Sequence, residues 1–100
     1  MQKTITINGK EYPFWLNLNS LDALKENHKI DLLGKGIEFS NTKSVVALTY
    51  ECIKEGGGEV KQEELRKIMG LRDIRKVSDL VSKEISGEES GNETTPQKEG

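Results

Sequence analysis

The segment from Thr42 to Glu55, TKSVVALTYECIKE, constrains the fold most strongly, because apolar residues cover more than one side of it when it is helical. Five residues recur at helical spacing and three more widen their stripe: Val45, Leu48, Thr49, Cys52 and Ile53, then Val46, Ala47 and Tyr50. A helix with so broad an apolar surface must pack against several other elements. We therefore predict a central helix, capped by Ser40 or Asn41 and closed by the glycines at 56–58.

The first 18 residues predict a β-hairpin. Asn8-Gly9 is the preferred pair for a two-residue type I′ turn, and apolar residues alternate with polar ones on both sides of it. This turn sets four cross-strand pairs: Ile7 with Lys10, Ile5 with Tyr12, Lys3 with Phe14 and Met1 with Leu16. Pro13 then falls opposite Thr4 at a position without hydrogen bonds, which predicts a free outer edge on the second strand there.

Three further helices are predicted around the central one. Ser20 is a candidate N-cap for a helix over 21–33 that ends at Gly34 and Gly36. Gly70 separates two later helices, predicted over Gln62–Met69 and Asp73–Ile85. Their inward-facing residues are predicted to be Leu65, Ile68, Met69, Ile74, Val77, Leu80, Val81 and Ile85.

The predicted fold class is α+β, with an N-terminal two-stranded β-hairpin packed on about four α-helices. Residues 1–86 are predicted to form a single globular domain. Residues 87–100 contain no large apolar residue and hold four glutamates against one lysine, so we predict a disordered acidic tail there. The net charge of −2 favours neither a nucleic acid nor a membrane as a partner.

The sequence contains no recognisable catalytic or metal-binding pattern. His28 has no second histidine or cysteine near it in the chain, and Cys52 lies on the predicted core stripe. Gly34-Lys35-Gly36 lacks the Gly-Lys-Ser/Thr ending of a phosphate loop, so it is interpreted as a turn. We therefore expect a protein that is not an enzyme and binds no cofactor or metal. Without a transmembrane run or signal peptide, the expected location is the cytoplasm.

The two short helices near the end of the predicted domain are the part of the chain that most resembles a known binding motif. The two short helices around Gly70, within residues 62–86, resemble a helix-turn-helix of a small DNA-binding regulator. Arg72, Arg75 and Lys76 are basic, but acidic residues are mixed with them along the same helix. DNA binding is therefore the alternative interpretation, and a solvated face of mixed charge is the simpler one.

The order of elements and two segments, ITINGKEYPF and FSNTKSVVALTYECIKE, resemble the tail assembly chaperones of long-tailed bacteriophages, the siphophages of Gram-positive hosts. The resemblance covers residues 1 to about 86. It implies a non-enzymatic protein of the host cell cytoplasm that binds the tape-measure protein and helps to recruit tail-tube subunits, with a homo-oligomer as a further possibility. It also implies that a ribosomal frameshift near the end of the gene can add a second domain.

A chaperone of a long amphipathic helical protein needs exposed apolar side chains. The predicted partner-binding residues, each near the end of an element, are Trp15, Leu21, Met69 and Leu71. The competing interpretation places all of these except Trp15 in the core.

Overall fold

The computed structural model describes residues 3–86 and confirms the α+β fold class. The elements in chain order are β1 (Lys3–Ile7), β2 (Lys10–Phe14), α1 (Leu18–His28), α2 (Thr42–Glu55), α3 (Gln62–Ile68) and α4 (Leu71–Ser86). The two strands form one antiparallel sheet. The predicted pairing of Met1 and the predicted disordered tail at 87–100 lie outside the described residues.

The hairpin has the predicted register. Its pairs include Lys3 with Phe14, Ile5 with Tyr12, Ile7 with Lys10 and Thr4 with Pro13. Asn8 and Gly9 both have positive φ angles, 53° and 81°, as a type I′ turn requires. The second strand was predicted to continue beyond Phe14, which is wrong. The chain leaves the sheet at Trp15, whose backbone N–H donates to the Cys52 carbonyl at 3.0 Å near the end of α2.

Helix α1 starts earlier than predicted, because Asn17 and not Ser20 is its N-cap. The Asn17 side chain accepts from the Ser20 N–H at 3.0 Å, and the Ser20 hydroxyl accepts from the Asn17 N–H at 2.8 Å. These reciprocal bonds form a capping box, in which Ser20 occupies the third helical position and is buried.

Helix α1 also ends earlier than predicted. Lys29 adopts the left-handed conformation at φ 60°, and the next N–H, of Ile30, donates back to the Leu24 carbonyl at 3.1 Å. Ile30 and Leu32 are buried in the core, but they lie in the loop after α1 and not in the helix itself. The predicted stop at Gly34 and Gly36 is wrong, since both lie in or directly after a later turn, where the Asp31 side chain accepts from the Gly34 N–H.

Helix α2 is the central element, as predicted. It contacts α1, α3, α4 and β2. Asn41, one of the two predicted caps, accepts from the Ser44 N–H at 3.3 Å, and Gly57 has a left-handed φ of 93° after the last turn. The buried residues of α2 are Val45, Val46, Ala47, Leu48, Thr49, Glu51, Cys52 and Ile53.

Helices α3 and α4 are joined by only two residues, Met69 and Gly70. Helix α4 begins at Leu71, two residues before the predicted start, because the Asp73 carboxylate accepts from the Gly70 N–H at 2.8 Å and so closes the first turn. Among the predicted inward-facing residues, Leu65, Val77 and Val81 are buried and four others are partly buried. Ile85 was predicted to face inward and is instead exposed, because the core ends at Val81 while the helix continues.

Helix α4 lies along β1 and runs in the opposite direction. Lys76 Nζ donates to the Thr6 carbonyl at 2.8 Å. Further along the helix, Glu84 Oε2 lies 3.9 Å from Lys3 Nζ. These two contacts place the end of α4 beside the start of β1 and the start of α4 towards the hairpin turn.

Candidate partner-binding surface

The four predicted partner-binding residues do not form one surface. Trp15 is 40% exposed and Leu71 is 83% exposed, whereas Leu21 and Met69 are partly buried and pack against the core. Trp15 and Leu21 flank the start of α1, and Met69 and Leu71 flank the junction of α3 and α4. The competing core interpretation thus fits Leu21 and Met69 better than it fits Leu71.

The two pairs lie towards opposite ends of α2. The backbone N–H of Trp15 is hydrogen-bonded to the Cys52 carbonyl in the last turns of α2. Met69 instead lines a cavity together with Thr42 and Val46 from the first turns. Helix α2 contains 14 residues and is therefore about 21 Å long.

We call the first region the Trp15 end and define it by Trp15, Leu18 and Ile85. Sequence reasoning missed Leu18 and Ile85, which are 76% and 51% exposed. Their segments meet around Cys52: Trp15 donates its N–H to the Cys52 carbonyl, and Ser20, two residues after Leu18, is hydrogen-bonded to the Cys52 thiol. Burial is the main cause that raises the pKa of this thiol to about 12, and the charge of nearby Glu84, the neighbour of Ile85, adds to the shift.

The charged groups of the Trp15 end include a carboxylate held by two amides. Asn17 Nδ2 and Asn19 Nδ2 donate to Glu55 Oε2 at 3.0 and 3.1 Å. These hydrogen bonds, that of Asn17 first, lower the pKa of Glu55 because they favour its charged form. Glu84 lies at the same end, with Lys3 beside it. The Trp15 end therefore carries the Glu55 carboxylate, held by two amides, and an ion pair between Glu84 and Lys3.

We call the second region the Leu71 end and define it by Met69 and Leu71. Arg66, Lys67, Arg72, Arg75 and Lys76 lie within eleven residues that contain one acidic residue, Asp73. The first four of these basic residues are exposed. Lys76 is held against the Thr6 carbonyl, and Asp73 is buried as part of the helix start. The Leu71 end thus combines an exposed leucine with exposed basic residues that are close to it in the sequence.

A partly buried polar cluster joins α1 to α2. His28 Nε2 lies 2.9 Å from Glu51 Oε2, and Asn27 Nδ2 donates to the same oxygen at 3.3 Å. Glu51 is buried on the core side of α2. His28 is half-buried, and its position explains how a carboxylate is accommodated inside the domain.

A groove of about 470 Å³ between the hairpin turn and α3 is a weaker candidate. Its apolar lining residues are Ile7, Tyr12, Val60 and Ile68. Ile7 and Tyr12 are already buried by the hairpin's own packing, so a partner would gain little apolar contact there. Within residues 3–86 no group of three or more candidate ligands is placed to hold a metal ion. Over the same residues, no helix combines the length and the apolar composition that crossing a bilayer requires.

Comparisons of the chain with models of protein families, with curated proteins and with solved structures found no match. The functional interpretation therefore depends on the two exposed ends and on the sequence pattern described above.

Proposed function

We propose that this chain is a tail assembly chaperone of a long-tailed bacteriophage, a non-enzymatic protein that acts in the cytoplasm of the host cell. In this role it binds the helical tape-measure protein and helps to recruit tail-tube subunits. The support from the sequence is the resemblance of its opening segment and of its central-helix segment to that family.

The structural observation that supports the proposal best is the Trp15 end. Trp15 and Leu18 lie three positions apart at the start of α1, Ile85 lies in the last turn of α4, and all three are exposed large hydrophobic residues. Exposed apolar groups of this kind are typical of protein–protein contact sites, and an amphipathic helix presents the matching apolar stripe. A tape-measure helix is therefore the occupant that we propose for this end.

Trp15 provides a direct test, because it is the only tryptophan of the chain. The chain is purified with and without a co-expressed helical segment of the very long protein encoded near its gene. We expect the two to co-purify and the Trp15 emission to shift to shorter wavelength as its ring leaves water. Leu18→Glu should abolish both effects.

Leu33→Glu is the matched control, since Leu33 is 66% exposed but belongs to the turn between α1 and α2. This variant should bind as the unaltered chain does. Co-purification that survives Leu18→Glu, or no co-purification at all, would refute the proposed surface.

A DNA-binding regulator is the second candidate, and the observation that favours it is the basic Leu71 end with exposed Arg72 and Arg75. Two features of the geometry weigh against it. The α3–α4 connection has two residues, shorter than the three or four of a typical helix-turn-helix, and Lys76 is held by the Thr6 carbonyl. A gel-shift experiment with phage and host DNA separates the candidates, because Arg72→Glu should remove a regulator's binding to DNA.

A further inference from the structure

We propose that the Leu71 end binds an acidic peptide segment of a partner protein, with one large apolar side chain of that segment inserted into a cavity beside Met69. The proposed function rests on the Trp15 end, so this proposal can hold whether or not the chain serves as a tail chaperone. Three observations support it: the size and lining of the cavity, the unpaired arginines beside it, and the balance of charge around it.

The cavity lies where the first turns of α2 meet the junction of α3 and α4. We call it the Met69 cavity and define it by its lining residues, Thr42, Val46, Arg66, Met69 and Ile74. Its volume is about 210 Å³. Pockets that hold whole small-molecule ligands usually measure about 300–1,000 Å³. The Met69 cavity is therefore suited to a single side chain, and its three apolar lining residues favour an apolar one.

Two arginines lie beside the cavity with their charges unused. Arg66 lines the cavity and is nevertheless exposed, so its stem contacts the cavity while its guanidinium group reaches water. On α4, Leu71 is three positions before Ile74 and four before Arg75, which makes these side chains neighbours on the helix surface. Within residues 3–86, neither Arg66 nor Arg75 has a side-chain hydrogen bond or an ion pair.

The use of arginine rather than lysine at this place favours a carboxylate as the partner group. The chain has three arginines, and all of them lie within residues 66–75, whereas its lysines are distributed over the whole chain. A guanidinium group is planar and can form two parallel hydrogen bonds with one carboxylate. Since the described residues supply no carboxylate to Arg66 or Arg75, a bound acidic segment would supply it.

The charge around the Met69 cavity is positive once the groups that are paired or face elsewhere are excluded. Asp73 accepts from the Gly70 N–H and lies 3.7 Å from Lys76. Glu64 and Lys67 line a different groove, which α3 shares with the hairpin. The groups that remain on α3 and on the first turns of α2 and α4 are four basic residues, Lys43, Arg66, Arg72 and Arg75, and one acidic residue, Glu63.

Other occupants fit this surface less well. Residues 87–100 of the chain itself contain no large apolar side chain, so they cannot fill the cavity. A nucleic acid would bind the arginines through its phosphates but would leave Leu71 and the cavity open to water. An apolar side chain at the centre with charged groups at the rim is the usual organisation of a contact between proteins.

A methionine signal provides a direct test, because Met1 and Met69 are the only methionines of the chain. The purified full-length chain is labelled with isotope-enriched methionine and titrated with a synthetic peptide of aspartate and serine that contains one central leucine. Nuclear magnetic resonance should show a saturable shift of the Met69 methyl signal, which the variant Met69→Leu identifies. The same peptide with alanine in place of leucine should bind about tenfold more weakly, because it buries less apolar surface.

A matched pair of variants tests the role of Arg66. Arg66→Gln should weaken binding of the leucine peptide by about fivefold, because the peptide carboxylate loses its guanidinium partner. Lys67→Gln is the control, since it removes the same charge from the next position of α3, which lines the other groove. This control should change the affinity by less than about twofold. Both residues are exposed, so far-UV circular dichroism should show the same helix content for both variants.

Four results would overturn the proposal. They are a Met69 signal that does not move at millimolar leucine peptide, equal affinities for the leucine and alanine peptides, equal losses in Arg66→Gln and Lys67→Gln, and a DNA duplex that moves the Met69 signal and displaces the peptide. The last result would favour the DNA-binding regulator. None of the first three bears on tape-measure binding, which the co-purification experiment tests at the Trp15 end.

Discussion

Leu48 is fully buried in the middle of α2, with three helices and a strand packed around that helix. Truncation to alanine leaves a cavity that the neighbouring side chains fill only in part. We predict that Leu48→Ala lowers the free energy of unfolding by about 2–5 kcal/mol, measured by urea denaturation. Leu18→Ala, the same substitution at an exposed leucine, should change it by less than about 0.5 kcal/mol, and equal effects would show that Leu48 is not central.

The buried Cys52 thiol should be inert in the folded chain. Burial raises its pKa from 9.0 to about 12, so the reactive thiolate is scarce at any pH below 9. We predict that a disulfide reagent modifies Cys52 only as fast as the chain unfolds, which urea should accelerate. Ser82→Cys, which adds a thiol at an exposed position of α4, should react at once under the same conditions.

The same raised pKa predicts a loss of stability in alkali. Below pH 9 the thiol is protonated in both the folded and the unfolded chain, so the pH has no effect through this group. As the pH rises from 9 towards 12, only the unfolded chain loses the proton, which favours unfolding. Cys52→Ser should remove this part of the alkaline destabilisation, and an unchanged profile would contradict it.

The link between His28 and Glu51 should matter for stability more than an exposed contact would. His28→Ala leaves the buried Glu51 carboxylate with Asn27 as its hydrogen-bond partner from α1. We predict a loss of about 1–3 kcal/mol, because a buried charged acceptor is left undersatisfied. Lys25→Ala, at an exposed position of the same helix, is the control and should have little effect in thermal or urea unfolding.

At the scale of elements, the start of α1 combines a cap with a link to α2. Asn17 caps α1 and also binds Glu55, while Asn19 binds Glu55 only. We predict that Asn17→Ala costs about 1 kcal/mol more in unfolding free energy than Asn19→Ala, because only the first change removes the cap. Equal costs would mean that the Glu55 contact, and not the cap, stabilises this end of the helix.

The hairpin and α2 could be predicted from the sequence because their signals are local and agree with one another. Asn8-Gly9 allows one short turn, and that turn fixes every pair in the sheet. The α2 stripe is long and is bounded by a cap and three glycines. In both cases the local preference and the tertiary packing favour the same structure.

The limits of α1 could not be predicted, because its sequence permits two caps. Asn17 and Ser20 are both good N-cap residues, and only the reciprocal hydrogen bonds decide between them. Its end at Lys29 carries no glycine signal, since a lysine takes the left-handed position. This error concealed Leu18, which was assigned to the segment before the helix.

Only part of the candidate surface could be predicted from the sequence, for a related reason. Of the four predicted partner-binding residues, Trp15 and Leu71 are exposed, and Leu21 and Met69 are partly buried. Ile85 has the helical spacing of a core residue, but no neighbouring element extends far enough to cover it. Helical spacing shows which residues share one face of a helix, but it cannot show at which residue the core ends.

At the scale of the whole molecule, the core and the charged terminus should be separable. The buried hydrophobic residues that the structure describes lie between Ile5 and Val81, so removal of residues 87–100 should leave the urea midpoint nearly unchanged. A clear fall in the urea midpoint on this truncation would contradict the prediction.

A two-stranded sheet has two open sides on which further strands can add, and such addition is a common route to amyloid. Here each side is interrupted. Pro13 has no N–H to offer and the N–H of Trp15 is taken by α2, while the Thr6 carbonyl on the other side is occupied by Lys76. Many copies can therefore be synthesised close together in one cell, and we expect their hairpins not to recruit one another into cross-β aggregates.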